Sequence, residues 1–400
     1  MMRFLTAGES HGPALTVILE GIPAGMEIDF NAIDHELSRR QQGYGRGARM
    51  KIESDRVEIA GGVRAGRTTG GPVCFQIRNR DWENWKDKLS PYRTEADEST
   101  ASLANPRPGH ADLAGALKYG IDDFRNILER SSARETAARV AAGALAKQFL
   151  AHFGCETRSH VVGIGPVNRS AKLPEVTWEQ IVAIPDDSPL HCADSELEKE
   201  MVHEIDRAVK NRDTLGGVIE VVAHKPPPGL GSFIQWDSKL DGRLARAMMS
   251  IPAMKAVGIG RGVECAYLLG SELHDEIFYS PEEGLHRGSN NAGGLEGGVT
   301  NGEELRVKAY MKPLASLRRP LRSVNIKTME PIEAARVRSD ICAVPAAGVV
   351  GEAMVALTLA EAALEKFGGD SISETLTNYR TFVERVELKR KQREAEADKK

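Results

Sequence analysis

The 400-residue sequence has little cysteine, few aromatic residues and no large excess of charge of either sign. Its five cysteines are scattered and include no Cys-x-x-Cys pair, which argues against a zinc cluster and favours a reducing compartment without a disulfide framework. The ten histidines show neither His-x-x-x-His nor His-Glu-x-x-His spacing. The sequence therefore predicts no metal site.

Further absences limit the class of protein. No uninterrupted apolar run reaches the ~20 residues of a membrane span, and the start, MMRFLTAGESHG, shows no signal-peptide pattern. We therefore expect a cytoplasmic protein with no membrane partner. The net charge of −4 argues against a nucleic-acid-binding protein, which usually carries a basic excess. The phosphate-binding Gly-x-x-x-x-Gly-Lys-Ser/Thr motif is also missing.

The organisation of the chain is indicated by its glycines, of which there are 39, in clusters. A glycine–threonine turn leads into a strand in each half, as GRTTGGPVCFQI and as GGVTNGEELRVKAYM, and each half carries an alanine-rich helix. This repetition indicates an internal duplication, and at this length two lobes and one large duplicated domain are the alternatives. The polar stretch 82–106 is predicted to be a long, lid-like loop, and the charged tail 386–400 is predicted to fray.

Apolar periodicity and turn residues predict the elements that matter for the site. Strands are predicted over 2–7 and 13–20, and helices over 28–42, 111–120, 132–154 and 346–369. Asp29 or Asn31 is predicted to begin the first of these helices, and a capping box of Ser132 and Glu135 to begin the third. A further helix over 240–260 is expected to be broken at Pro252.

Several segments combine arginine or histidine with glycine. The stretch SRRQQGYGRGARMKIE holds Arg39, Arg40, Arg46 and Arg49, and glycines there would let backbone amides approach an anion that arginine binds in two-point fashion. A solvated basic loop is the alternative. His11 lies in the turn GESHG, where a ligand could come close to the backbone.

A second histidine, His110, follows Arg107 in NPRPGHADLAG, where a helix opens. A helix-capping turn with an incidental histidine is about as plausible there as a functional one. The stretch LERSSARETAARVAAG places arginines and serines at a predicted helix N-terminus, which favours anions. A serine cap explains Ser132 but leaves Arg130 and Arg134 unexplained, so this is the best phosphate signal that the residues alone provide.

Two later segments complete the set. NNAGGLEGGVTNGE contains Gly297 in a glycine-rich turn, and MKPLAS follows the next strand with Lys312 and Ser316. In VRSDICAVPAAGVVGE, Asp340 is either the N-cap of an apolar helix or a functional partner of Arg338. Together these residues describe a pocket for a small molecule with several negative charges, with histidines suited to proton transfer near neutral pH.

Seven segments, in order along the chain, resemble the chorismate synthase family: GESHG, GYGRGARMKIE, RPGHADL, RSSARETAARVAAGALAK, DTLGGVIE, NNAGGLEGG with TNG, and RSDICAVPAAGVVGEAM. The resemblance implies a lyase that eliminates phosphate and a C6 proton from 5-enolpyruvylshikimate-3-phosphate (EPSP) in 1,4-anti fashion, giving chorismate with the help of reduced FMN. It also implies a single α+β domain over 1–385. The expected architecture is a layered β-α-β sandwich, with helices between two antiparallel sheets, and the expected assembly is a homotetramer. The loop 82–106 resembles the longer bacterial form.

The resemblance assigns roles by motif. His11 resembles the histidine that protonates the departing phosphate, His110 the one that keeps the flavin in its working protonation state, and Asp340 the carboxylate that helps flavin N5 take the C6 proton. The substrate-binding side chains would be Arg40, Arg46, Arg49, Arg107, Arg134 and Arg338. The FMN-binding residues would be Arg130, Ser131, Ser132, Pro252, Ala253, Gly297, Lys312, Pro313, Leu314, Ala315, Ser316 and Arg338. Pro252 stands where some members have asparagine, and Ser316 where threonine is common.

Three other functions remain open at this point. Some fungal members of the family also reduce FMN with NADPH. We expect this chain to be monofunctional and to receive reduced FMN from an external flavin reductase, although direct NADPH binding is left open. A nucleic-acid-binding module is disfavoured by the net charge and by the lack of an aromatic–basic stripe. A phosphotransferase is disfavoured by the missing P-loop and acidic metal cluster.

Overall fold

A computed structural model describes residues 2–47, 54–92, 103–169, 174–281, 284–337 and 339–397, the last four of these as helical backbone only. The described chain is a mixed helix-and-sheet structure. Its helices are α1 (Phe30–Gln41), α2 (Asp112–Tyr119), α3 (Arg125–Ser131), α4 (Thr136–Ala151), α5 (Trp178–Val182), α6 (Ser195–Asn211), α7 (Leu240–Met249), α8 (Gly270–Leu273), α9 (Val344–Phe367) and α10 (Ile372–Ala397).

The strands form two larger antiparallel sheets and several hairpins. They are β1 (Arg3–Ala7), β2 (Ala14–Glu20), β3 (Glu58–Gly61), β4 (Val63–Arg64), β5 (Arg67–Thr68), β6 (Val73–Arg78), β7 (Glu156–Ile164), β8 (Val167–Asn168), β9 (Gly217–His224), β10 (Met254–Ile259), β11 (Ile277–Ser280), β12 (Gly284–Arg287), β13 (Leu295–Glu296), β14 (Val299–Thr300), β15 (Leu305–Met311), β16 (Arg322–Val324) and β17 (Pro331–Glu333). The first sheet has the order β1-β2-β6-β3 and the second has the order β10-β15-β9-β7-β8.

The first sheet buries one face because β2 and β6 alternate buried and more exposed residues, whereas β9 in the second sheet is buried on both faces. In β2, Leu15, Val17 and Leu19 are buried, and Val17 lies opposite Phe75 of β6. Helix α4 packs against β2 and β6, helix α9 packs against β7 and β9, and the two helices pack against each other. The core therefore runs from the first sheet, through both helices, to the second sheet.

Small residues allow these close approaches. A Cβ atom on Gly143 of α4 would overlap Ala353 of α9, and one on Gly351 of α9 would lie 2.9 Å from a methyl group of Val221 in β9. The alanine-rich composition that predicted α4 and α9 as helices also lets them pack at this short distance.

A buried ionic cluster joins the same elements. Glu352, in the middle of α9, is fully buried and accepts hydrogen bonds from Arg39 of α1 at 2.8 Å and from Lys147 of α4. Ser159 of β7 donates to Glu352 through both its backbone N–H and its hydroxyl. One carboxylate thus fixes the relative positions of two further helices and a strand around α9.

Helix α9 is also, within the described ranges, the one helix long and apolar enough to span a membrane by length and composition. Its most apolar 18-residue window is 89% buried inside the protein. Burial against β7, β9 and α4 accounts for the apolar sequence of this helix.

Several predicted boundaries are correct. Helix α1 has Asp29 as its N-cap, whose Oδ1 accepts from the backbone N–H of Ala32 at 3.1 Å. The first two strands, α2 and the glycine that ends α9 also lie where the sequence predicted them. Of the predicted loop 82–106, residues 93–102 lie outside the described residues, and the first three residues of the loop belong to a 3₁₀ turn over Arg80–Asn84.

Other predicted elements are wrong. The capping box is absent, because Ser132 caps a 3₁₀ turn over Ala133–Glu135 and the Glu135 side chain pairs with Arg139 at 2.9 Å instead. The predicted helix over 240–260 ends at Met249, and Met254–Ile259 forms β10 because it pairs with β15. The tail expected to fray continues as helix α10 to Ala397.

Candidate active site

The turn between β1 and β2 carries His11. Gly8 in this turn has φ +103°, and a Cβ atom there would overlap the carbonyl oxygen of Ala14, so the tight turn itself requires glycine. The backbone N–H of His11 donates to Glu129 Oε2 at 2.9 Å, and His11 Nδ1 lies 2.9 Å from the same oxygen. Trp85 stacks on the imidazole with 4.2 Å between ring centroids. The ring is thus held at one edge and on one face.

Asn79 connects this turn to the arginines. Its side-chain amide donates to the carbonyl oxygen of Gly12 at 2.7 Å, and its side-chain oxygen accepts from Arg134 Nε at 2.9 Å. Arg134 also donates to Asp55 Oδ2 at 2.5 Å. Arg134, Asp55 and Asn79 are all buried, so this connection is a fixed part of the structure.

Arg40 extends the same cluster. Its Nε donates to Thr136 Oγ1 at 3.0 Å, and its Nη1 lies 3.5 Å from Asp55 Oδ2 without a hydrogen-bond partner among the described residues. Burial, followed by the nearby charge of Arg134, lowers the pKa of Arg40 to about 9. Arg46 adds to this lowering, whereas Asp55 and Asp340 oppose it. The structure therefore concentrates guanidinium groups that an added anion would stabilise.

Asp340 lies at the other side of this cluster. The backbone N–H of Gly47 donates to Asp340 Oδ1 at 2.6 Å, and Arg46 Nε lies 3.3 Å from Asp340 Oδ2. The anion that the glycine-rich loop approaches is thus a carboxylate of the chain itself. The alternative of Asp340 as the N-cap of the apolar helix is wrong, since Ala343 occupies that position. Arg49 and Arg338 lie outside the described residues.

His110 belongs to a second cluster that includes Arg107 and Asp112. His110 Nδ1 lies 2.6 Å from Asp112 Oδ1, and Arg107 donates to Asp112 Oδ2 at 2.9 Å and to Ser316 Oγ at 2.7 Å. Burial alone would raise the pKa of Asp112, but the hydrogen bonds from His110 and Arg107 hold it well below its usual range. His110 does not cap the helix, because the N-cap of α2 is Ala111. Arg107, predicted to bind substrate, is buried and committed to these partners.

The two clusters meet through residues 214 and 215. Thr214 Oγ1 donates to the carbonyl oxygen of Leu314 at 2.8 Å. The backbone N–H of Leu215 donates to the carbonyl oxygen of Ile341 at 2.9 Å. Lys312 donates through Nζ to the carbonyl oxygen of Gly109. The segment from Lys312 to Ser316, which includes Pro313 and Ala315, therefore lies between the His110 turn and the Asp340 segment.

An open cleft of about 240 Å³ adjoins these groups. It is lined by Thr6, Arg130, Ser131, Glu135, Arg139 and Pro252. Ala253, next to Pro252, accepts from the backbone N–H of Lys312 at 3.0 Å. The structure thus connects Arg130, Ser131, Pro252, Ala253 and Lys312, all of which the sequence assigned to the cofactor.

The prediction that these residues lie at a helix N-terminus is wrong for Arg130 and Ser131, although Ser132 caps the 3₁₀ turn that precedes α4. Arg130 and Ser131 lie in the last turn of α3, and α4 begins only at Thr136, so they are not at a helix N-terminus. Arg130 donates to the backbone carbonyl oxygens of Thr6 and Gly8, and Ser131 donates to that of Ile127. Anion binding here would rest on the guanidinium groups of Arg130 and Arg139.

Gly297 lies in a different setting. It is in the turn between β13 and β14, where its Cβ position would be 3.8 Å from Phe233. Within the described part of the chain, no group of three or more histidine, cysteine, aspartate or glutamate side chains could hold a metal ion.

Comparison with known proteins identifies the family. A family model described as chorismate synthase matches residues 2–364. The chain belongs to the chorismate synthase family. It is therefore a lyase of the shikimate pathway, which leads to aromatic compounds.

Relatives and a solved structure are similar over nearly the whole length. The chorismate synthase of Desulforudis audaxviator is 56% identical over 390 residues, covering 98% of this chain and 99% of the relative. The chorismate synthase of Symbiobacterium thermophilum is 54% identical over 390 residues, covering 96% of this chain and 99% of the relative. A crystal structure of chorismate synthase matches with a TM-score of 0.76 and 43% identity, covering 96% of this chain and 98% of that one.

The sequence did not single out several residues of this chorismate synthase site. Glu129 and Asp112 hold the two histidines, Asp55 lies between two arginines, Asn79 joins the turn to Arg134, and Trp85 stacks on His11. Glu129 and Asp112 lie inside motifs that were recognised, so their carboxylates offered a signal. Asp55 and Asn79 stand among other polar residues, in ESDR and RNRD, and nothing in the sequence distinguishes them.

Proposed function

We propose that this chain converts EPSP to chorismate by 1,4-anti elimination of phosphate and a C6 proton, and that the reaction depends on reduced FMN. The observation that carries the proposal is the set of contacts that runs from the turn of His11, through Asn79, Arg134 and Asp55, to Arg40. Asp340 is near enough to Arg40 for its charge to act on the pKa of the guanidinium group. A proton donor, an anion-binding cluster and a carboxylate are thereby placed along one connected site.

The arginine cluster suits the charges of this substrate. EPSP carries one phosphate group and two carboxylates, and guanidinium groups bind both kinds of anion in two-point fashion. Arg40 and Arg134 share the single buried carboxylate of Asp55, so their combined charge is only partly compensated. Burial, and after it the charge of Arg134, lowers the pKa of Arg40, and a bound anion would oppose this lowering.

His11 is assigned to the departing phosphate. A leaving phosphate accepts a proton, and histidine transfers protons efficiently near neutral pH. Glu129 engages Nδ1, which leaves Nε2 as the nitrogen that could face the substrate. Asp340, with Oδ1 fixed by the Gly47 amide, is assigned to the region of the C6 proton.

The cleft beside Arg130 suits the phosphate end of FMN. Arg130 and Arg139 supply positive charge, Ser131 supplies a hydroxyl group, and Pro252 adds an apolar wall. Reduced FMN would supply an electron-rich ring next to the substrate. His110 is assigned to the flavin side because Lys312 and Ser316, the neighbours of its cluster, connect it to the same cleft.

The remaining assignments follow the family resemblance. We infer a layered β-α-β sandwich with internal duplication, assembled as a homotetramer in the cytoplasm, and supplied with reduced FMN by a separate flavin reductase. The packing of α4 on the first sheet and α9 on the second supports the sandwich.

The test is an anaerobic assay of the purified full chain with EPSP and chemically reduced FMN. Chorismate is followed by absorbance and phosphate by a coupled assay. We expect equal amounts of both products with reduced FMN, and neither with oxidised FMN or with oxidised FMN plus NADPH.

Two results would change the proposal. No product from folded protein with reduced FMN would contradict the elimination. Product from oxidised FMN and NADPH, without another enzyme, would contradict the dependence on an external reductase while leaving the elimination in place.

A further inference from the structure

Glu129 contacts His11 at two points. Both carboxylate oxygens lie within 3.0 Å of His11 Nδ1, and Oε2 also accepts the His11 backbone N–H at 2.9 Å. The two residues are 118 positions apart in the sequence, and the Glu129 side chain is 1% exposed. A buried carboxylate that binds both the ring and the backbone of one residue restricts that residue's position and its side-chain torsion angles.

The chemistry of the pair also restricts the hydrogen on the ring. An ionised carboxylate can only accept hydrogen bonds, so His11 must carry its hydrogen on Nδ1. Arg125 Nη1 lies 3.9 Å from Glu129 Oε1 and places a positive charge beside the carboxylate. In the neutral ring Nε2 then has a free lone pair, and after protonation Nε2–H is available to a substrate oxygen.

We propose that Glu129 is a positioning residue for His11. It fixes the Nδ1–H form of the ring and directs Nε2 toward the departing phosphate group. Trp85 stacks on the His11 ring with an interplanar angle of 29° and so limits rotation of the imidazole away from this position. This inference rests on the proposed function, since it assigns Glu129 to the same proton donation.

The chain contains a matched control. His224 Nδ1 lies 3.0 Å from Glu304 Oε1, and Trp178 stacks on His224 with 4.7 Å between ring centroids. This second histidine–glutamate–tryptophan group belongs to the β9 and β15 side of the other sheet. Glu304→Gln therefore repeats the chemical change of Glu129→Gln at a place with no assigned role in the reaction.

The experiment measures the ring form and the reaction separately. Solid-state ¹⁵N NMR of full-length protein labelled at histidine, with His11→Gln used to identify the signal, reports which nitrogen of His11 carries hydrogen. Steady-state assays with EPSP and reduced FMN report kcat and KM. We expect Nδ1–H in the wild type and loss of that preference in Glu129→Gln. We also expect a fall in kcat of ~10²-fold with KM within about threefold.

Three results would overturn the proposal. Wild-type His11 with its hydrogen on Nε2 contradicts it without any variant, even if Glu129→Gln fails to fold. A fall in kcat with an unchanged ring form would show a purely structural role. An equal fall in Glu304→Gln would show a general effect of the substitution. Absence of turnover in the wild type would instead refute the proposed function, because the ring form is measured without substrate.

Discussion

His110 Nδ1 lies 2.6 Å from Oδ1 of Asp112, a carboxylate that is fully buried and that also accepts hydrogen bonds from Arg107. The carboxylate neutralises Arg107 and orients His110 at the same time. Both histidines assigned to the reaction are therefore held at Nδ1 by a buried acidic residue from the same stretch of chain, Asp112 for one and Glu129 for the other.

Replacing Asp112 by asparagine should affect activity and stability together. The amide keeps the shape of the side chain but removes the charge that Arg107 requires, and an uncompensated buried charge costs about 3 kcal/mol. We expect kcat to fall ~10-fold to 10²-fold because His110 loses its fixed orientation. Steady-state assays and urea unfolding measure the two effects. Asp122→Asn, an exposed change in the same region, serves as the control, and equal behaviour of the two variants would contradict the account.

The stability of the fold should depend on pH through Glu220. Burial alone would raise the pKa of Glu220, but the hydrogen bond and charge of His160, with Arg306 and Lys308, lower it to about 2 from its ordinary 4.5. A carboxyl whose pKa is lowered by folding contributes stability above about pH 4.5, and this is lost as the pH falls toward 2.

The size of that contribution is as much as about 3 kcal/mol, since one pKa unit corresponds to about 1.4 kcal/mol. We expect Glu220→Gln to lose less unfolding free energy than the wild type between pH 7 and pH 3. Urea unfolding at both pH values provides the comparison. The same loss in both proteins would show that Glu220 does not contribute to this pH dependence.

The contact between α4 and α9 should not tolerate a side chain at Gly143. A methyl group there would overlap Ala353, and overpacking of a tight core typically costs about 1–3 kcal/mol. This exceeds the gain of at most ~1 kcal/mol that alanine offers in a helix. Gly242→Ala on α7 is the control, because its Cβ position would lie 4.0 Å from the carbonyl oxygen of Trp236, an ordinary contact distance. We expect Gly143→Ala to lower the urea midpoint and Gly242→Ala to leave it unchanged or raise it slightly. A raised midpoint for Gly143→Ala would refute the packing argument.

The sequence contained enough information to predict helices α1, α4 and α9 and the principal charged residues, but the long helices α6 and α10 were not predicted. Helix α1 could be predicted with its cap because Asp29 and the apolar periodicity are local signals. The strand β10 could not, because alanine, lysine and methionine favour a helix there and only pairing with β15 makes the segment extended. The predicted capping box is wrong for a similar reason, since the Glu135 side chain pairs with Arg139 and not with the backbone at Ser132.

The residues of the site also divide into those that local sequence patterns indicate and those that only the fold brings into place. His11 and Arg134 stand out because glycines surround the first and clustered charges surround the second. Their partners do not, since Glu129 is 118 residues from His11 and Asp55 is 79 residues from Arg134. Local patterns can indicate which residues carry charge, whereas the carboxylates that orient them are brought near only by the packing of α3 and α4 on the first sheet.

His11 is assigned to protonation of the departing phosphate, and a single-turnover experiment with His11→Asn measures that role in the chemical step. Anaerobic rapid quenching with enzyme in excess over EPSP and with reduced FMN present measures phosphate and chorismate in the chemical step. We expect both products to form at least ~10²-fold more slowly than in the wild type, and in equal amounts. Phosphate release at the wild-type rate from a folded variant would contradict the assignment.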